Sequence, residues 1–304
     1  MFHKRVRRES DKLDCIHTQI RSKQDAGLEF TRGFYVHFDQ ISRILSLVTQ
    51  SPDRGRFYRA ELAEATGLSE IQAGVQAKIA AAMGLLVPIS YRLTDFGRLV
   101  SDYDLFFEDL GTLWVCHYAL SSEPKRLLWN HVVNCLLPTG QTYSPPEVRE
   151  TLSYLAETHS ARTLQRKVLK EVGSIFNAYT EQAFRQLHYL RQTDDGAYAL
   201  TDSPAPVPPG AFLAILLLHR DRFQPGASGV EVPTICAAEQ SPGRLLHLSE
   251  ARVRALLNEL HEAGRLTIEA KANLDQVRFH PSTGSERRAG QTWLQAMQSY
   301  YEER

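Results

Sequence analysis

The stretch RAELAEATGLSEIQAGVQAKIAAAMG (59–84) decides the fold. Leu62 and Ala65 mark a short helix, and Thr66-Gly67 supplies the turn after it, because glycine takes a positive φ without steric cost. Ser69 is placed to cap the next helix, where Ile71, Val75, Ile79 and Ala82 recur at helical spacing. Helix, glycine turn and helix is the helix-turn-helix pattern, whose second helix enters a major groove of DNA. The segment that follows, MGLLVPISYRLT (83–94), reads as a strand, a turn and a returning strand. That hairpin predicts a wing.

The same succession recurs roughly over 144–202 and 210–281. It ends there in LRQTDDGAYALT (190–201) and AGRLTIEAKANLDQVRF (263–279). The spacing is irregular, which excludes a solenoid. The predicted fold is mainly α with small β-hairpins (α+β), arranged as tandem winged helix-turn-helix units. Pro204, Pro206, Pro208 and Pro209 crowd TDSPAPVPPG (201–210), and proline cannot donate to a helix or a ladder, so an extended linker is expected. The expected organisation is a basic arm at 1–27, a first winged-helix unit with a strand–helix connector at 28–137 and a second unit at 138–202. The linker at 203–210 follows, then a third, degenerate unit with a C-terminal helix at 211–304. In the connector LFFEDLGTLWVCHYALSSEPKRLLWNHVVNCLLP (105–138), a strand is expected around Thr112–Ala119 and a helix from Pro124. Trp114, Tyr118 and Trp129 are expected in the core.

Hydrophobic residues make up 43% of the 304 residues, enough for full cores, and charged residues 23%. Formal net charge is zero, so any surface that meets DNA phosphates must be a local patch. The longest aliphatic run, Ala211–Leu218, is too short to cross a bilayer. No apolar signal segment follows the basic N-terminus MFHKRVRRESDKLDC. A cytoplasmic protein with no membrane partner is expected. Cys15, Cys116, Cys135 and Cys236 are far apart and form no CxxC pair, so four idle thiols are expected rather than a zinc knuckle or a disulfide framework.

The location of Lys and Arg then matters most. Turning Ile71, Val75 and Ile79 inward leaves Ser69, Ala73, Gln76, Ala77 and Ala80 outward. Alanine can neither read a base edge nor neutralise a phosphate, so only Ser69, Gln72, Gln76 and Lys78 are candidate DNA contacts there. In HSARTLQRKVLKEVGSIFNAY (159–179) the inward stripe is Leu164, Val168, Leu169, Val172 and Phe176. The opposite face carries Thr163, Arg166, Lys167, Lys170, Ser174 and Asn177, with Arg162 near the start. Arg and Lys reach guanine acceptors or phosphates and Asn pairs with adenine, which makes this the stronger DNA-contact face. A merely solvated helix face is the alternative. The third helix, SEARVRALLNELHEAG (249–264), mixes Arg252 and Arg254 with Glu250, Glu259 and Glu262, and reads as structural. Two further basic features are the arm residues Lys4, Arg5, Arg7 and Arg8 and the turn SPDRGRFYRAE (51–61). In that turn Arg54, Arg56 and Arg59 stand beside Phe57 and Tyr58.

Catalytic motifs are absent: there is no GxxxxGK, HExxH or GxSxG. RGFYVHFDQISR (32–43) gathers Arg32, His37, Asp39 and Arg43, so His37 and Asp39 are weak catalytic candidates, with Asp39 preferred as a helix N-cap. WNHVVN (129–134) has a His-Asn pair but no second His or metal ligand at a useful spacing. Glu108 and Asp109 are adjacent carboxylates, which point apart on a helix. No metal site and no bound cofactor are evident. Magnesium or manganese would be needed only by a strand-cutting activity.

FTRGFYVHFDQISRILSLVTQ (30–50), ELAEATGLSE (61–70), YRLTDFGRLVSDYDLFFEDLGTLWVCHYALSSEP (91–124) and WNHVVN (129–134) resemble the SspB-like family. That bacterial family was long catalogued as a domain of unknown function and lies beside genes for single-strand DNA phosphorothioation. The resemblance implies a DNA-engaging, strand-nicking component that works with a cysteine desulfurase, an ATPase and an ATP pyrophosphatase to place sulfur in one strand at a short sequence. It carries no catalytic residue over to this chain, so nicking rests on analogy. A two-fold homodimer would suit DNA-binding modules. The competing expectations are a winged-helix transcriptional regulator and a protein-docking scaffold without catalysis.

Overall fold

A computed structural model of the chain describes residues 28–157, 160, 162, 164–271, 274–279 and 292–304. It is mainly helical with small antiparallel hairpins, and divides into two compact units. One unit runs to Phe107 and resumes over Ala119–Ala205; the other is Glu108–Tyr118 with Pro206–Arg304. Among the described residues no helix is long and apolar enough to cross a membrane.

The first unit opens with α1 (Phe38–Thr49), α2 (Arg59–Thr66) and α3 (Glu70–Ala82), which pack on one another. Gly67 ends α2 at φ 71°, and Ser69 accepts the Gln72 amide while the Gln72 side chain returns to Ser69, a reciprocal cap. The sequence located these elements, but it placed the face of α3 wrongly. Ala73, Gly74, Gln76, Ala77 and Ala80 are buried with Val75 and Ile79, whereas Ile71 is 56% exposed. The cause is side-chain size: with so many small residues, neighbours close in around nearly the whole helix. The expected strand pair at 83–94 is a single bridge, Leu86 to Leu93.

Next come α4 (Asp95–Tyr103) and α5 (Leu110–Ser121), the latter crossing the boundary between the units. The strand expected around Thr112–Ala119 is therefore helix. Residues 111–120 are all buried, and a helix buried on every side has no amphipathic period to reveal it. The overlooked signal is Asp109, whose carboxylate accepts the Thr112 amide at 2.8 Å in the manner of a cap. Asp39, expected to cap α1, instead lies inside the first turn; the cap position is His37, which makes no side-chain cap bond.

A short α6 (Leu127–Asn130) runs into a π-helical turn, His131–Leu136. Every residue of it is buried, Trp129 included. α7 (Pro145–Thr151) is capped reciprocally by Ser144 and Glu147. A second π turn, Leu164–Val168, leads into α8 (Leu169–Thr180). The hairpin of β1 (Leu190–Gln192) and β2 (Tyr198–Leu200) closes the unit where the sequence expected it, with Gly196 at φ 80° in the turn.

The second unit starts from α9 (Pro209–Phe223), which opens on a proline as helices favour. It continues through β3 (Gly229–Glu231), α10 (Val232–Ala237), α11 (Pro242–Leu245), α12 (Glu250–Glu262), β4 (Leu266–Lys271), β5 (Leu274–Phe279) and α13 (Trp293–Glu302). The strands form an antiparallel sheet in the order β3-β5-β4, with Val277 opposite both Val230 and Ile268. On α12, Arg254 donates to Glu250 at 2.8 Å and to Asp275 at 2.6 Å, a structural use of the mixed charges. Cys116 is a free buried thiol and Cys236 a free half-buried one.

His131 tests how this core holds its polar groups. Its Nε2 lies 2.9 Å from Thr151 Oγ1, its Nδ1 has no partner, and burial holds the ring pKa down at about 4 from 6.5. The unfolded chain takes up a proton below pH 6.5 that the folded ring refuses until about pH 4. Stability is therefore full above pH 6.5 and falls across that window, by up to about 3 kcal/mol from this ring. Urea unfolding at a series of pH values should show this slope reduced in His131→Gln; equal slopes would contradict it.

Candidate nucleic-acid interface

The basic stretch from Arg162 to Lys170 leads into α8, where a buried carboxylate holds a distant segment against the helix. Glu171 accepts the Thr31 amide at 2.8 and 3.0 Å and the Thr31 hydroxyl at 2.9 Å. Burial pushes its pKa up, while those donors and the Lys78 charge pull it back. The segment it holds turns sharply, with Arg32 at φ 56° and Gly33 at φ 79°. A side chain on Gly33 would stand 3.3 Å from Lys170 Cβ, so the glycine lets the segment lie against α8. From the other side, buried Gln76 of α3 donates to the Tyr35 carbonyl at 2.7 Å.

This pinned segment draws cations from separate elements. Lys78 Nζ sits 4.8 Å above the Phe30 ring, and the Arg126 guanidinium 5.8 Å from it. Burial lowers the Lys78 pKa, Arg32, Arg126 and Arg59 add to that, and Glu171 opposes it. Exposed Lys170 lies against Gly33 of the segment, and Arg166 and Arg162 are exposed in the residues before α8. Lys167 is half-buried and paired with Glu29 at 2.8 Å.

Other expected contacts have different places. Gln72 is occupied in the cap of α3, and Gln76 is buried where an outward base reader was expected. Ser174 is also buried, and Asn177 keeps its Oδ1 inside the protein. Arg54 pairs with Glu61 and lies 5.0 Å from the Phe57 ring; Arg56 lies 5.1 Å from the Tyr58 ring. The Arg59 stem covers Gly74, where a Cβ would meet it at 2.8 Å. Thr163, the arm at 1–27 and Cys15 lie outside the described residues. The sequence does not point to Arg126 as a contact, since only the fold brings it to Phe30.

The catalytic candidates remain separate from this cluster. His37 is half-buried, edge-on to Tyr35 at 6.5 Å, and exposed Asp39 pairs with Arg43 at 3.8 Å. In WNHVVN, Asn130 donates to the Ser121 carbonyl at 2.7 Å, deep in the core. Asp109 is held by Tyr300 and Arg304, each at 2.8 Å. Among the described residues no group of three or more His, Cys, Asp and Glu is placed to hold a metal ion.

The family model described as "Protein of unknown function (DUF4007)" matches residues 81–296, most of the chain. The chain belongs to the DUF4007 family. Among solved structures, an SspB crystal structure matches with a TM-score of 0.68 at 15% identity, covering 90% of this chain and 86% of that one. A magnesium ion-bound SspB crystal structure matches with a TM-score of 0.68 at 14% identity, covering 82% of each chain. At these identities what is shared is the fold. No curated protein matches this DUF4007 chain in sequence.

Removing the carboxylate in Glu171→Ala leaves the buried Thr31 donors unpaired and should destabilise the protein by about 2 kcal/mol. Urea titration measures that cost. Hydrogen exchange should show the Thr31 amide opening more readily; unchanged protection there would deny Glu171 this role.

Proposed function

We propose that this protein is the DNA-engaging component of a bacterial phosphorothioate modification or defence system. The observation that carries the proposal is the gathering of Arg32, Lys78, Arg126 and Lys170 around residues 30–33, with exposed Arg166 four residues before Lys170. In a chain of zero formal charge, such a patch is what phosphate binding requires. The fold shared with SspB and the resemblance of the strings at 30–50, 61–70, 91–124 and 129–134 supply the biological setting. The partners proposed are double-stranded DNA, a cysteine desulfurase, an ATPase and an ATP pyrophosphatase, in the cytoplasm.

The tandem winged-helix reading belongs with this proposal. The second unit has the order helix, strand, helices and hairpin, with its first strand beside the last in the sheet, which suits a winged helix. The first unit has the helix-turn-helix of α2 and α3 with only a bridge for its hairpin. DNA contact is assigned to α8 and Lys78 rather than to the buried alanine face of α3. One SspB structure is described as magnesium-bound, while among the described residues of this chain no group of three or more His, Cys, Asp and Glu is placed to hold a metal ion.

Fluorescence anisotropy with a duplex between about 50 and 200 mM salt tests the proposal. Wild-type affinity should fall steeply with salt. Arg166→Ala with Lys170→Ala should bind about tenfold more weakly and reduce the log–log slope by about 2. Gln76→Ala should lower stability and leave the slope alone. A wild-type protein that ignores duplex DNA at low salt would favour a docking scaffold instead.

A further inference from the structure

The loop between Leu86 and Leu93 is held in a costly shape. Val87 donates to the Arg92 carbonyl at 2.8 Å, and Tyr91 to the Val87 carbonyl at 2.9 Å. At its tip Ile89 takes φ 70°, a left-handed conformation that a β-branched residue rarely adopts. Burial does not offset this, for Ile89 is 71% exposed. An exposed apolar side chain held in a strained backbone gains nothing for the isolated fold, and such strain gathers at functional positions.

Three arginines stand beside the loop, among carboxylates. Phe57 donates to the Ser90 carbonyl at 2.9 Å, which ties the arginine-rich turn 51–57 to the loop tip. Between them opens a cavity of about 220 Å³ whose wall includes Arg54, Arg92, Arg98, Ser51, Ser101 and Asp102. It has room for several water-sized groups, at about 30 Å³ each. Arg98 pairs with Asp95 at 2.6 Å and Arg54 with Glu61, and these pairs are solvent-exposed. Exposed ion pairs are weak, so both guanidiniums can turn to a phosphate, which they match in a two-pronged fashion. Arg92 is exposed at the foot of the loop.

We propose that residues 86–93 form a wing that enters the minor groove of duplex DNA, with Ile89 as an apolar wedge between base steps and Arg54, Arg92 and Arg98 on the adjoining phosphate. The proposal rests on the DNA-binding reading above and adds where and how the first unit makes contact. An apolar wedge partly unstacks the step it enters, and phosphate contacts beside it hold the deformed duplex in place. The strained backbone keeps Ile89 presented before binding. α3, buried on nearly all sides, cannot supply groove contacts, and the wing lies at the edge of the same helix-turn-helix.

The test uses the full chain and duplexes carrying 2-aminopurine at successive positions. Wild-type protein should brighten the probe at one or more steps and bind with a steep salt slope. Ile89→Gly relieves the backbone strain and so should fold; it is expected to keep the slope and lose the brightening. Arg92→Ala with Arg98→Ala should bind about tenfold more weakly, with a slope smaller by about 2. If both variants match a wild-type protein that binds duplex, the wing proposal fails while the DNA-binding function stands. If the wild type binds no duplex, both fail.

Discussion

The Glu171 carboxylate is the constraint on which the first unit's surface depends. It reaches across 140 residues of sequence to take both donors of Thr31. Burying a carboxylate is costly unless hydrogen bonds satisfy it, and here three short bonds do so. Because the donors belong to the backbone and side chain of one residue, the segment is fixed in position and in rotation. Gln76 fixes the same segment from α3 through Tyr35 and His37. Residues 31–37 are thus clamped by two buried polar side chains from two helices.

That clamp determines which cations are available. Glu29 is brought to Lys167 and pairs with it, while Phe30 becomes a seat for Lys78 and Arg126. The Lys170 stem is covered by Gly33, but its residue remains exposed. A linear count of charges on α8 overstates that helix and misses the cluster beside it. The patch is composite, drawn from the pinned segment, α3, α8 and the turn before α6.

Local signals were legible in the sequence because they are local. The Gly67 turn, the Ser69 cap, the Gly196 hairpin and the long hairpin of β4 and β5 are each set by residues within a few positions of one another. What failed depends on distant neighbours. The α3 face follows from its pattern only if the helix is amphipathic, and its small residues remove that premise. α5 lacks any period because it is buried throughout. Asp39 had the right chemistry for a cap and stood two residues too late. For the site, Arg166, Lys170 and Lys78 are exposed as their charge suggests, whereas the role of Glu171 depends on Thr31, 140 residues away, and no local pattern reveals it.

The burial of Gln76 gives this failure a positive meaning. A helix-turn-helix that reads bases keeps its second helix free on one side. Here α3 gives up that side to the packing of α1 and α2 and to the clamp on residues 35–37. It therefore serves as a beam, and only its Lys78 still meets solvent near the basic cluster. On the proposed DNA-binding function, a neutral chain with a beam in place of a reading helix would meet phosphates through its margins. On α3 itself the margin is Lys78; beyond it are the α8 side of the pinned segment and the strained loop after α3. Lys78 and Lys170 are exposed cations on those margins, and the loop after α3 presents the strained, exposed Ile89.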